Sequence, residues 1–366
     1  MVRHVLGISG GKDSAALALY MNERHPEVDV DYYTCDTGRE LQETYDLIDR
    51  LESALGKKIT RLHPVDLQNT TGESYFDHFL DMYGGYLPSS TARWCTKKLK
   101  LDPFEDYLGD EPTISYVGIR GDEDRDGYIS KKQSVQSIFP FRKNIWSEDV
   151  VKLCLATERI AFIEQAKALN SNERFIELVD TAISISFSIK QKANALLDVD
   201  TKLFNRIVFE LLKETDYPVG KLDAFPLIEN DEILKIDDIF KILRESGVGV
   251  PAYYEPLDYE VEIDGEMKKG TYNRSRSGCF FCFFQQKIEW VWLLERHLSL
   301  YEKAMTYEKD GYTWMDSETL EELKQPLRVA TIKKDHFIKT QKRASNTSWQ
   351  DQILDAEGEG CDSCFI

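Results

Sequence analysis

The chain has 366 residues, of which 46 are Lys or Arg and 64 are Asp or Glu, giving a formal net charge of −18. At 42% hydrophobic and 11% aromatic it is too apolar for a disordered chain. No stretch approaches the roughly 18 consecutive apolar residues of a membrane span, and the acidic balance argues against attraction of a phosphate backbone by the surface as a whole. The length suggests two domains, or one domain with a large insertion. The opening MVRHVLGISGGKDS shows no signal-peptide pattern, so the expected compartment is the cytoplasm. Seven cysteines there point to metal or catalytic use where they cluster, rather than to a disulfide framework.

In chain order, His4 to Ile8 is a short apolar run, Ser9 to Ser14 is polar and glycine-rich, and Ala15 to Arg24 favours a helix. Val28 to Cys35 reads as a strand, Glu40 to Leu55 as a helix and Ile59 to Val65 as a strand. Such alternation predicts a parallel sheet with covering helices. A later strand, Ile114 to Ile119, ends at Arg120 and Gly121. From Phe141 to Tyr217 there is neither glycine nor proline, and the text has helical period. Two phrases beginning Phe-Pro, at Phe139 and Phe225, flank that segment as a weak repeat or a chance resemblance. Residues 251–300 run from a Pro/Tyr-rich loop through a cysteine pair into the helical phrase QQKIEWVWLLERHL, and the tail ends in CDSCFI.

The segment Ser9-Gly10-Gly11-Lys12-Asp13-Ser14 lies between a strand and a helix. Glycines let backbone N–H groups turn toward an anion, while the helix N-terminus and Lys12 add positive charge. It is not a Walker A loop, because Leu6 stands where the first glycine belongs and Asp13 follows the lysine. The phrase resembles the SGGxDS fingerprint of the PP-loop ATP pyrophosphatase superfamily. That resemblance implies an adenine-nucleotide α-hydrolase-like fold, an α/β Rossmann-like parallel sheet with helices on both faces. It also implies a loop that binds ATP phosphates, with cleavage between the α- and β-phosphates.

Further phrases narrow the resemblance. Asp36-Thr37-Gly38, with Glu43-Thr44, is similar to the DTG…ET phrase of phosphoadenylyl-sulfate (PAPS) reductases. Arg93-Trp94-Cys95 through Lys100 and Pro103 is similar to their R-x-C-x-x-x-L-K-x-x-P segment, and Gly118 to Glu123 with Arg125 to their GIRxDE…R phrase. Pro140 to Val150 matches a further phrase of that family. The resemblance implies that Arg93, Lys97, Lys98, Lys100, Arg120 and Arg125 converge to neutralise phosphate or sulfate charge. It also places Gly118 at the nucleotide, and Asp36 with Asp122 or Glu123 as holders of Mg²⁺ bridged to phosphates. Asp13 can serve there too, or simply cap its helix.

Two departures matter. The tail phrase ECGLH of thioredoxin-dependent PAPS reductases is absent, and Trp94 replaces the first cysteine of the Cys-Cys pair that binds the cluster in adenylyl-sulfate reductases. RWCTKKLK and RSRSGCFFCFFQQKIEW are closer to sulfurtransferase-like members of DNA-phosphorothioation and phage-defence systems.

Cys279-Phe280-Phe281-Cys282 has metal-binding spacing, repeated by Cys361 and Cys364. Two models stay open. In one, Cys279, Cys282, Cys361 and Cys364 form a closed Zn²⁺ site. In the other, Cys95, Cys279 and Cys282 hold a [4Fe-4S] cluster. Cys35 and Cys154, isolated in apolar runs, are expected to be buried small hydrophobes. Arg274 and Arg276 can face a phosphate or lower a thiol pKa. The Trp290 and Trp292 stripe is expected to be packing.

The expected organisation is a nucleotide-binding α/β domain over 1–155, a helical insertion over 156–224 and a cysteine-containing region over 225–366. The expected function is ATP pyrophosphate cleavage serving sulfur transfer, with DNA as acceptor through partner subunits and a cysteine desulfurase or other protein as sulfur donor. A PAPS or adenylyl-sulfate reductase and a non-catalytic nucleotide-sensing subunit of a defence complex are the alternatives. Lys12, Asp13, Arg93, Cys95, Lys100 and Arg120 are the residues expected to carry the chemistry.

Overall fold

A computed structural model describes residues 2–343 apart from 65–73, 124–126, 128, 131, 170–171 and 310, and the statements below concern the described residues. Five parallel strands lie in the order β3-β2-β1-β4-β5: β1 Arg3–Gly7, β2 Val30–Cys35, β3 Ile59–Leu62, β4 Thr113–Tyr116 and β5 Val135–Ile138. In register, His4 lies between Val30 and Ile114, so β1 is the central strand. Its residues alternate between two buried faces, as a strand covered on both sides must. Leu6 joins one apolar cluster with the helices α1 (Lys12–Arg24) and α2 (Gln42–Leu55). Val5 joins another with Phe104 and Leu108. This is the expected α/β Rossmann-like architecture, with helices on both faces of a parallel sheet.

After β3 come α3 (Tyr75–Met82), α4 (Trp94–Thr96), a π turn at Lys97–Leu101, and α5 (Asp102–Leu108). The sequence shows no clear strand at β5, because Val135-Gln136-Ser137-Ile138 buries two polar residues and loses the apolar signature. The glycine-free segment folds into α6 (Glu148–Lys152), α7 (Arg159–Leu169), α8 (Glu173–Asp180), α9 (Ile189–Val199) and α10 (Thr201–Leu212). Phe162, Phe175, Leu196, Phe204 and Val208 from these helices lie in the same apolar cluster as Leu6. α11 (Ile236–Glu245) then packs along α1.

The remainder caps the carboxyl edge of the sheet. β6 (Leu257–Ile263) and β7 (Glu266–Tyr272) form an antiparallel hairpin whose turn residues Asp264 and Gly265 have φ of 51° and 83°. Two positive φ values at an Asp-Gly pair are the conformation that matches the strand twist of a tight hairpin. This hairpin stands where the Pro/Tyr-rich loop was expected. α12 (Lys287–Arg296), α13 (Leu298–Tyr307), α14 (Leu320–Leu323) and α15 (Pro326–Arg343) complete the described residues. They share a second core with Leu41, Phe76, Trp94 and Leu99. Trp290 and Trp292 are buried in it, as a packing stripe should be. No described helix is long and apolar enough to cross a membrane.

Candidate nucleotide and thiol site

The strand order reverses between β1 and β4, so the loops that follow them diverge and leave a crevice at the carboxyl edge. The loop after β1 carries Ser9 to Gly11. Gly10 has φ of +75°, and a Cβ there would lie 2.2 Å from Thr44 Cγ2. Only glycine meets both conditions. Gly11 is the N-cap of α1 without a side-chain cap. Ser14 folds back toward the loop, its Oγ accepting from the Ser9 N–H at 3.1 Å. The loop is roofed from the far end of the chain: the Tyr253 hydroxyl donates to Gly10 O at 2.8 Å, and the Tyr254 hydroxyl accepts from the Lys12 N–H at 3.4 Å. Ser277 Oγ would lie 2.8 Å from a Cβ on Gly11. Lys12 is buried, with its Nζ 3.2 Å from Asp13 and 5.0 Å from the Tyr254 ring centroid.

The loop after β4 brings Arg120 behind the same helix. Arg120 is fully buried and reaches three carboxylates: Asp13 at 2.5 Å, Asp122 at 3.0 Å and Glu123 at 2.7 Å. A buried guanidinium needs this number of partners, because an unpaired charge there is very costly. Gly118 allows the approach, since a Cβ would meet the Asp13 carbonyl oxygen at 2.9 Å. Asp122 also accepts from the Ile236 N–H at 3.1 Å, which ties the loop to the start of α11. Thus Asp13, Asp122 and Glu123 surround Arg120. Asp36 stands apart, accepting from the Gly38 N–H at 2.8 Å and the Tyr45 hydroxyl at 2.9 Å. Arg125 lies outside the described residues.

The loop after β2 carries Thr37 to Glu40 toward the cysteines. One pocket at the sheet edge is lined by Ser9, Cys35, Asp36, Glu40, Thr44, Tyr45 and Lys100. A second is lined by Thr37, Cys95, Lys100, Gly278, Cys279 and Cys282, with Phe76, Leu99, Phe281 and Trp314 as apolar wall. Lys100 borders both pockets, set there by the π turn that follows α4. Arg93 flanks the second pocket, its guanidinium carbon 5.1 Å from the Phe284 ring centroid. Arg276 approaches the same ring at 5.9 Å. Arg274 is fully buried and donates from Nη2 to Cys279 O at 3.3 Å.

Around Cys279 the contacts are polar. Thr37 Oγ1 lies 3.2 Å from Cys279 Sγ and donates to Glu40 Oε1 at 2.9 Å. The Cys279 thiol also faces Glu40 Oε1 at 3.7 Å. Glu40 Oε2 is closed to solvent with no hydrogen-bond partner among the described residues. Burial pushes the Glu40 carboxyl above its ordinary range, with Lys100 opposing. Burial also holds the Cys279 thiol well above its usual value, and Glu40 adds to this. Cys282 is raised for the same first reason, and Cys95 is pushed up to about 12. Cys154 is fully buried, as expected; Cys35 is only half-buried and borders the first pocket.

These positions bear on metal binding. Among the described residues, no three or more His, Cys, Asp or Glu side chains are grouped so as to hold a metal ion. Cys95, Cys279 and Cys282 share a pocket without forming such a group as placed. Cys361 and Cys364, the other half of the closed-site model, lie outside the described residues. Glu40, Tyr253, Tyr254 and Ser277 were not among the expected site residues. Their roles come from partners more than 200 residues away in sequence.

The crevice, loop and sheet order are those of an α/β Rossmann-like domain. Residues 3–161 match the family model of the phosphoadenosine phosphosulfate reductase domain, which fits the PAPS-reductase-like branch of the PP-loop superfamily. An uncharacterized protein of Methanocaldococcus jannaschii is 29% identical over 156 residues, which cover 39% of this chain and 30% of that protein. The chain thus matches less than a third of that relative's length. No solved structure matches.

Proposed function

We propose that the chain is an ATP-binding enzyme of the PP-loop kind. It cleaves ATP between the α- and β-phosphates, releases pyrophosphate and serves the transfer of sulfur to DNA. The carrying observation is that Lys100 borders both the pocket beside Ser9 and the pocket of three thiols. On this reading, nucleotide activation and sulfur chemistry would be neighbours. The amides of Gly10 and Gly11 before α1 bind phosphate oxygens, with Tyr254 held against the Lys12 N–H beside them. Lys12 meets developing phosphate charge, and Arg93 and Lys100 do so from the far wall. Arg120 holds Asp13 and the first turn of α1 in place. Asp36 would hold Mg²⁺, which would supply charge neutralisation at the phosphates. The DNA acceptor and a cysteine desulfurase or similar donor rest on the phrases RWCTKKLK and RSRSGCFFCFFQQKIEW.

The test is pyrophosphate release from ATP by the wild type and by Lys12→Ala. Wild-type release, with Lys12→Ala slower by roughly 100-fold, is expected from the loss of one charge-stabilising group. Measurable ATP binding without release overturns the enzyme reading in favour of a nucleotide-sensing subunit. Sulfite formed from PAPS with a thiol reductant identifies a reductase instead.

A further inference from the structure

Among the described residues the three cysteines form no metal-holding group as placed, which leaves their pocket to be explained by the groups that touch them. Each thiol has a different neighbour. Thr96 stands beside Cys95 and the Phe284 backbone beside Cys282. Cys279 alone of the three has a carboxylate within hydrogen-bonding reach of its sulfur, directly and through the Thr37 hydroxyl. Nucleophile, relay and base in that order are the arrangement that activates a weakly acidic thiol. Cys279 is half-buried and lines the pocket together with Gly278, where a Cβ would meet nothing within 4 Å. Lys100 stands in the same wall, and Phe76, Phe281, Phe283, Phe284 and Trp314 give it an aromatic side that suits soft, polarisable sulfur.

We infer that Cys279 accepts a sulfane sulfur atom from a persulfide donor, with Glu40 receiving the thiol proton and Thr37 aligning the two. The inference rests on the sulfur-transfer reading above and names its entry point. Cys279 Sγ attacks the terminal sulfur of R–S–SH. A new Sγ–S bond forms and the donor's S–S bond breaks. The electron pair leaves with the donor sulfur, and the proton held by Glu40 restores R–SH. The products are Cys279–S–SH and the donor thiol, with no net oxidation. Glu40 and Thr37 are positioning residues for the incoming sulfur, and Cys279 is the nucleophile.

The full chain, reduced and freed of reductant under argon, is incubated with glutathione persulfide in the absence of ATP. It is then alkylated and mapped by mass spectrometry. One added sulfur atom on the peptide bearing Cys279 is expected, and it is absent in Cys279→Ser. Glu40→Gln should slow uptake at neutral pH by roughly 100-fold, as loss of a general base does. Its rate should recover as the pH is raised and solvent generates the thiolate, a recovery that a merely structural role for Glu40 does not produce. Thr37→Val provides a second variant, expected to be slowed in the same pH-dependent way, and thermal melting of all three checks folding. Sulfur on Cys95 or Cys282 with Cys279 bare overturns the assignment. So does uptake by Glu40→Gln at the wild-type rate, or a stoichiometric metal bound through these thiols in the purified protein. Because ATP is absent, pyrophosphate release is read separately, and failure of either assay leaves the other standing.

Discussion

Arg120 shows how far a single residue can organise the crevice. Its guanidinium meets Asp13, Asp122 and Glu123 in a fully buried setting. Removing one partner of such a set costs about 3–5 kcal/mol, because the others stay buried and uncompensated. Arg120→Ala is therefore expected to lower the thermal midpoint sharply and to abolish ATP binding. Arg120→Lys should recover only part of the stability, since a point charge cannot reach three carboxylates as a planar fork does. Differential scanning fluorimetry with and without ATP reads both. Gly10→Ala is a second case. The left-handed backbone costs about 1–2 kcal/mol for a non-glycine residue, and the Thr44 clash adds to it. The expected result is a destabilised protein with weakened ATP binding, whereas Gly56→Ala, at a φ of +62° with no neighbour within 4 Å, should show only the backbone cost. Lys12, Gly10 and Arg120 were legible because local phrases carry them. Glu40 was not, because its meaning depends on Cys279, which lies 239 residues away in sequence.

At the scale of elements, β1 to β4 were legible because their apolar runs are short, clean and separated by helical text. α1 begins three residues earlier than its composition suggests: the helix starts inside the glycine loop, at Lys12 rather than Ala15. β5 escaped because Gln136 and Ser137 are buried and polar. Gln136 is engaged by Val219, whose N–H donates to Gln136 Oε1 at 2.9 Å. The hairpin β6–β7 did have a readable signal, alternation around Asp264-Gly265, which the aromatic and proline content of the region obscured. α10 is tied to the sheet region by a buried hydrogen bond from Trp146 Nε1 to Asn205 Oδ1 at 2.9 Å. Asn205→Ala leaves that indole N–H unsatisfied and opens a gap, a loss of about 2–4 kcal/mol. Chemical denaturation should show it as a lower midpoint in one cooperative transition. A separate early transition confined to α7–α10 would instead show that these helices fold independently of the sheet.

For the molecule as a whole, the charge of −18 is carried by an acidic exterior, while cations such as Lys12, Arg120 and Arg274 lie buried near the crevice. The C-terminal cap adds a pH response of its own. Burial and the nearby Lys339 push His336 down to about 4 from 6.5, against a smaller opposing pull from Glu289. Its Nδ1 lies 3.0 Å from the Tyr259 hydroxyl. The fold keeps this imidazole neutral, so as pH falls below 6.5 the unfolded chain binds the proton first. Stability should decline between pH 6.5 and about 4, by an amount on the order of 2 kcal/mol. Urea titrations at neutral pH and near pH 5 should show a smaller difference for His336→Gln than for the wild type. The roof over the phosphate loop has a last consequence. Residues 3–161 match one family domain, yet Tyr253, Tyr254, Ser277 and Cys279 close its crevice from outside that stretch. A chimera that borrows only 3–161 inherits a doorway without its lintel. Recombination that separates 3–161 from 251–282 leaves neither piece with the whole crevice.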